Sequence, residues 1–119
     1  MSSLDRDIAG KALTLTLADQ VGIVRQRLAA AGDRSALTIV KQGSMRVTLV
    51  ALAAGGVLES HRADGPITVQ VLEGSLEFEA DGRVHSLKPG SLFALASLEP
   101  HRVTSAGGSV FLLTVAVEK

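Results

Sequence analysis

The spacing of apolar positions changes once along this chain, and the change divides it in two. Leu17, Val21, Val24 and Leu28 recur at helical intervals, with Arg25 and Arg27 off their stripe. Thr16-Leu-Ala-Asp19 just before them reads as a capping box, in which the Thr16 hydroxyl accepts from the Asp19 amide and Asp19 reaches back. Gly32 stands where a helix-ending glycine belongs. The spacing therefore predicts one amphipathic helix near 17–31. Residues 1 to about 15 carry no strong pattern and read as a loose arm.

From Ser35 onward the period falls to two. Segments 36–42, 44–53, 67–73, 75–80, 83–87, 91–96, 100–105 and 109–117 are rich in β-branched residues. Gln42-Gly43, Gly74, Asp81-Gly82, Pro89-Gly90 and Gly107-Gly108 separate them, all of it turn chemistry, and Asp81-Gly82 is a strong hairpin signal. Eight or nine short strands with no helix between them predict an all-β fold, an antiparallel sandwich or barrel. Residues 1–34 then form an N-terminal arm and helix, and residues 35–119 one barrel domain.

Composition narrows the function classes. A chain of 119 residues can build one core and is too short for two domains. Lys+Arg and Asp+Glu both number 12, a balance that argues against nucleic acid as a partner. The chain is 46% hydrophobic but only 3% aromatic, with no Trp or Tyr, so the core is aliphatic and lacks the stacking residues of sugar or base sites. The absence of cysteine removes disulfides, thiolate metal sites and cysteine nucleophiles. The mixed charges of MSSLDRDIAGK do not suit a signal peptide, and the longest apolar run, VTLVALAAGGVL, is too short to span a bilayer. A cytoplasmic protein without membrane partners is the expectation. An aliphatic, neutral chain with several strand edges is expected to pair with itself as a homodimer.

The stretch GGVLESHRADGPITVQVLEG, residues 55–74, looks like half of a metal site. Gly55, five residues, His61, and then Val71-Leu72-Glu73-Gly74 resemble the first motif of the cupin superfamily. Lys88-Pro89-Gly90-Ser91-Leu92-Phe93 followed by Pro100-His101-Arg102-Val103 resembles the second, and the likeness spans about residues 36–117. It implies a small single-domain cupin of the RmlC-like kind, an antiparallel β-barrel or jelly roll with one helix in front.

The resemblance also shows what is missing. In metal-binding cupins the first motif continues His-x-His and then glutamate before its final glycine. Here His61 fills the first position and Ala63 the second, while Ile67 (or, with looser spacing, Thr68) stands at the glutamate. His101 keeps the second-motif histidine, and Ser105 replaces the asparagine often found after it. His61 and His101 are thus the candidate metal ligands, and two imidazoles alone make a weak site. Glu59 and Glu99 each precede a histidine by two residues, which on a regular strand puts carboxylate and imidazole on one face. Either could complete a two-histidine, one-carboxylate set, or both could be solvated charges at the barrel mouth. Ala63, Ile67 and Gln70 are expected to line the pocket, Gln70 with the option of a cross-strand hydrogen bond instead. His85, beside Arg83, reads as a surface residue, and Arg62 and Arg102 as charges on the opposite face from the histidines. No phosphate loop, nucleophile elbow or paired-cysteine motif appears.

Three functions from different classes remain. The leading one is a small-molecule-binding cupin with a two-histidine, largely apolar barrel pocket, holding a divalent transition metal weakly or not at all. The second is a metal-dependent dioxygenase or isomerase using His61, His101 and a carboxylate. The third is a structural homodimer without a ligand. The catalytic residues, and whether there is catalysis, stay open at this point.

Overall fold

The computed structural model describes residues 9–118. The first eight residues of the expected arm lie outside them, and residues 9–16 belong to no helix or strand. The helix forms where the spacing places it, as α1 (Leu17–Ala31). It ends at Gly32, whose φ of 95° is in the left-handed range and whose N–H donates to the Leu28 carbonyl over 2.7 Å. The capping box does not form. Thr16 is the N-cap, but its side chain makes no capping hydrogen bond, because its backbone carbonyl takes the Asp19 amide at 3.1 Å.

Nine strands follow: β1 (Arg34–Gln42), β2 (Met45–Leu52), β3 (Gly56–His61), β4 (Ile67–Gly74), β5 (Leu76–Ala80), β6 (Arg83–Leu87), β7 (Leu92–Leu95), β8 (His101–Ser105) and β9 (Ser109–Ala116). They pair antiparallel in two sheets, ordered β1-β2-β9-β4-β7 and β3-β8-β5-β6. The last strand, β9, lies in the middle of the larger sheet, with β2 along one side and β4 along the other.

Alternation along each strand divides the side chains between two cores. Ile67, Val69 and Val71 of β4, Leu76, Phe78 and Ala80 of β5, Val103 of β8 and Phe111 of β9 meet between the sheets. Val21 and Val24 of α1 cover Leu37, Ile39, Leu49 and Ala51 on the outer face of β1 and β2. Each large side chain so buried contributes about 1.5–3 kcal/mol, so the inter-sheet cluster supplies most of the drive to close the barrel. The helix shields only part of its sheet. The outer face of β4 and β7 carries Thr68, Gln70, Leu92 and Ala94, and Leu92 is 69% exposed.

Candidate functional site

The two candidate histidines are neighbours across the β3–β8 ladder, where His61 pairs with His101. A bulge puts them there. Leu58 is opposite Val103, and the next pair is His61 with His101, so three steps on β3 match two on β8. Without that extra residue in the ladder, parity would set Ser60 opposite His101 and turn His61 outward. His101 is inward by ordinary alternation, buried like Val103 and Ser105 on either side of the exposed-face residues Arg102 and Thr104.

The imidazoles meet edge to face, with ring centroids 4.2 Å apart and the two Nε2 atoms 3.0 Å apart. Each ring is anchored from behind by a backbone carbonyl. His61 Nδ1 donates to Glu59 O at 2.8 Å, and His101 Nδ1 donates to Glu99 O at 3.0 Å. Below His101 lies Phe78, stacked at 5.1 Å, and then Phe93, with its ring 4.8 Å from that of Phe78. Burial lowers the His101 pKa below the ordinary imidazole value, the Glu99 carbonyl opposes this, and nearby His61 lowers it further. His101 is therefore a neutral imidazole at pH 7.

Of the two readings of Glu59 and Glu99, the structure has the exposed charges, and neither carboxylate reaches the pair. The bulge breaks the parity that would have joined Glu59 to His61, and the Glu59 carboxylate turns outward to Arg102 Nε at 3.5 Å. Arg102 also binds Glu79 at 2.9 Å, on the face opposite the histidines as its parity requires. Glu99 is exposed and meets His101 only through its main-chain oxygen. Ser105 is also engaged, its buried hydroxyl donating to the Ser75 carbonyl at 2.8 Å. Among the described residues no group of three His, Asp or Glu side chains converges.

The expected pocket wall is different as well. Ile67 is a buried member of the inter-sheet core, and Ala63 packs half-buried against it. Leu58, Phe93, Leu95, Leu113 and Val115 pack against the same core and are likewise only partly buried. Gln70 faces away from that interior and is exposed, as the buried residues Val69 and Val71 beside it require. Thr68 shares the outer parity of Gln70. His85 is a correction in the other direction. It lies opposite Phe78 in the β5–β6 ladder, half-buried, with its ring 4.8 Å from Phe93. Its parity matches that of buried Leu87, a signal present in the sequence but masked by its charged neighbour Arg83.

An open cleft of about 670 Å³ lies at the mouth beside the pair. His101 and Pro100 form part of its wall, and Glu79, Asp81, Arg83 and Glu99 give it charges of both signs. Such a cleft can hold a polar ligand against a neutral buried imidazole.

The model of the cupin domain family matches residues 48–117, from β2 to just past the end of β9. The chain belongs to the cupin superfamily. No curated protein sequence matches this cupin. Among solved structures it is similar to a conserved protein of unknown function from Streptococcus pyogenes, with 18% identity and a TM-score of 0.72 over 96% of this chain and 95% of that one. It is similar to an RmlC-like cupin from Desulfovibrio desulfuricans, with 24% identity and a TM-score of 0.65 over 72% and 84% of the two chains. It is also similar to salicylate 1,2-dioxygenase from Pseudaminobacter salicylatoxidans, with 16% identity and a TM-score of 0.77 over 95% of this cupin but 37% of that enzyme. At these identities the likeness shows the jelly-roll fold and nothing of the chemistry. No helix among the described residues of this cupin is long and apolar enough to cross a membrane.

The donor set of this cupin does not fit the metal that many relatives of the fold are built to hold. Two imidazole nitrogens converge, while Ala63 and Ile67 stand where further donors would be and offer none. A transition-metal centre of this kind needs three or four protein ligands with fixed geometry.

Proposed function

We propose that this cupin is a small-molecule-binding protein that works without a resident metal, its ligand resting in the mouth cleft against His101. The contact between the two Nε2 atoms, at 3.0 Å with no third His, Asp or Glu side chain converging among the described residues, carries this reading. The lining supports a polar ligand with hydrogen-bonding groups over an apolar one, because Glu79, Asp81, Arg83 and Glu99 line the same cleft as His101.

Two measurements test it together. Protein purified without an affinity tag is expected to carry well under one equivalent of transition metal by elemental analysis. A library of small polar compounds titrated into ¹⁵N-labelled protein is expected to move the resonances of His101, Arg83 and the Asp81-Gly82 turn. A full equivalent of tightly held zinc, iron, manganese or nickel would replace this reading with the metalloenzyme. Shifts confined to the outer face of β4 and β7 would move the site elsewhere.

A further inference from the structure

The ladders put one more side chain in line with the histidines. His61 is opposite His101 in the β3–β8 pairing, His101 is opposite Ala80 in β5–β8, and Ala80 is opposite Arg83 in β5–β6. Residues directly opposite one another share a face of the sheet, so these four form one row across it. Buried Ala80 and His101, and buried Leu87 at the parity of Arg83, mark that face as the inner one. Arg83 is thus an exposed guanidinium at the barrel mouth, two strands from His101, with the methyl group of Ala80 between them. Two strand spacings are about 10 Å, and so small a side chain in the middle leaves room for a ligand between the two groups. Ala80, Arg83 and His101 all line the mouth cleft.

The two guanidinium groups of the cleft differ in what holds them. Arg102, of the opposite parity, binds Glu59 and Glu79, so the charge of Glu79 is already answered on the outer face. Arg83 is in no ion pair among the described residues, and neither are the other two carboxylates of the cleft, Asp81 and Glu99. One cation and two anions therefore face the same space without neutralising one another. A purely anionic ligand would gain Arg83 and be repelled by Asp81 and Glu99. A purely cationic ligand would gain the carboxylates and be repelled by Arg83. Resting on the small-molecule reading of the cleft, we propose that its ligand is a small zwitterion of the amino-acid kind. The ligand carboxylate lies on Arg83, whose planar fork suits two parallel hydrogen bonds, and the ammonium group faces Asp81 and Glu99. Val84, 61% exposed, and Pro100 give its side chain an apolar wall. Arg83 is then the residue that selects the ligand. The cleft is open to water, which screens these pairs, so the affinity expected is about millimolar and falls as salt rises.

The twenty common amino acids, titrated one at a time into the ¹⁵N-labelled full chain at low salt and pH 7, test this. At least one is expected to move the amide resonances of Arg83, His101 and the Asp81-Gly82 turn to saturation. The amine that lacks its carboxylate and the acid that lacks its ammonium group are each expected to bind about tenfold more weakly. Arg83→Gln is expected to weaken the amino acid by about tenfold, while Arg62→Gln, which removes a cation outside the cleft lining, leaves it unchanged. A single-charge analogue that binds as tightly as the amino acid, or Arg83→Gln without effect, would overturn the zwitterion and leave the small-molecule reading standing. So would silence from all twenty amino acids while other polar compounds shift the same resonances. Silence of the cleft towards every compound would overturn both.

Discussion

Phe78 lies parallel beneath His101, with ring centroids 5.1 Å apart and planes 23° from each other, so one side of the buried imidazole is apolar wall. The same ring reaches Phe93 across the barrel and is 1% exposed. Phe78 thus joins the two sheets and supports the site. Phe78→Ala is expected to cost about 3–5 kcal/mol of folding stability, the usual loss for a buried phenylalanine that leaves a cavity. Urea denaturation monitored by circular dichroism checks it, and a loss below about 1 kcal/mol would mean that the barrel closes without this ring.

The lowered pKa of His101 has a sign that can be followed into stability. The unfolded chain binds a proton at this histidine more readily than the folded one, so the folded state is favoured fully above the ordinary imidazole pKa. As pH falls below that value and through the folded pKa, this contribution is lost. The urea midpoint is expected to decrease between pH 7.5 and 5.5 by more in the parent protein than in His101→Phe. Equal decreases in the two would assign the pH dependence to the carboxylates.

Ala63 is the position at which a third donor is missing. Ala63→His is expected to raise zinc affinity by more than about tenfold, since a third imidazole brings the set to the minimum for a stable site. Isothermal titration calorimetry on the folded variant measures this. No gain would show that residue 63 does not converge on the pair. Adding Ile67→Glu is expected to cost stability, because Ile67 is 3% exposed in the inter-sheet core and a carboxylate there loses its water.

Gly65 is buried, and a Cβ on it would collide with the Ala116 carbonyl at the end of β9. Gly65→Ala is expected to destabilise the protein by about 1–3 kcal/mol, the range for overpacking against main chain that cannot rotate away. Gly107→Ala, where a Cβ meets nothing within 4 Å, is the control and is expected to change the urea midpoint little.

Much of this architecture could be read from the chain. The change of period at Ser35, the glycine at 32 and the Asp81-Gly82 turn correspond to the end of α1, the start of the strands and the β5–β6 hairpin. Alternation also carried information that neighbours obscured. Gln70 between Val69 and Val71 had to face out, and His85 two residues before Leu87 had to face in, whatever Arg83 suggested. The position of Glu59 could not be read this way. Parity along β3 puts it with His61, and only the pairing with β8 shows the extra residue that separates them. A bulge is a property of two strands, so one strand's sequence does not announce it. The anchoring of the two rings is hidden for a similar reason, since it depends on where the Glu59 and Glu99 carbonyls point and not on their side chains.

The place of β9 has a consequence for how the protein comes into being. The ninth strand, Ser109–Ala116, is the one that joins β2 to β4, and among the described strands nothing else pairs those halves of the larger sheet. On a ribosome the helix with β1 and β2 can emerge as one unit, and β4 with β7 as another. Each shows an open edge until β9 has followed them out of the exit tunnel. The loop that follows His61, between β3 and β4, is then tied down when Ala116 N–H meets Pro66 O at 3.1 Å and Glu118 N–H meets Asp64 O at 2.8 Å. A nascent chain stopped before β9 has both histidines and no mouth to put them in.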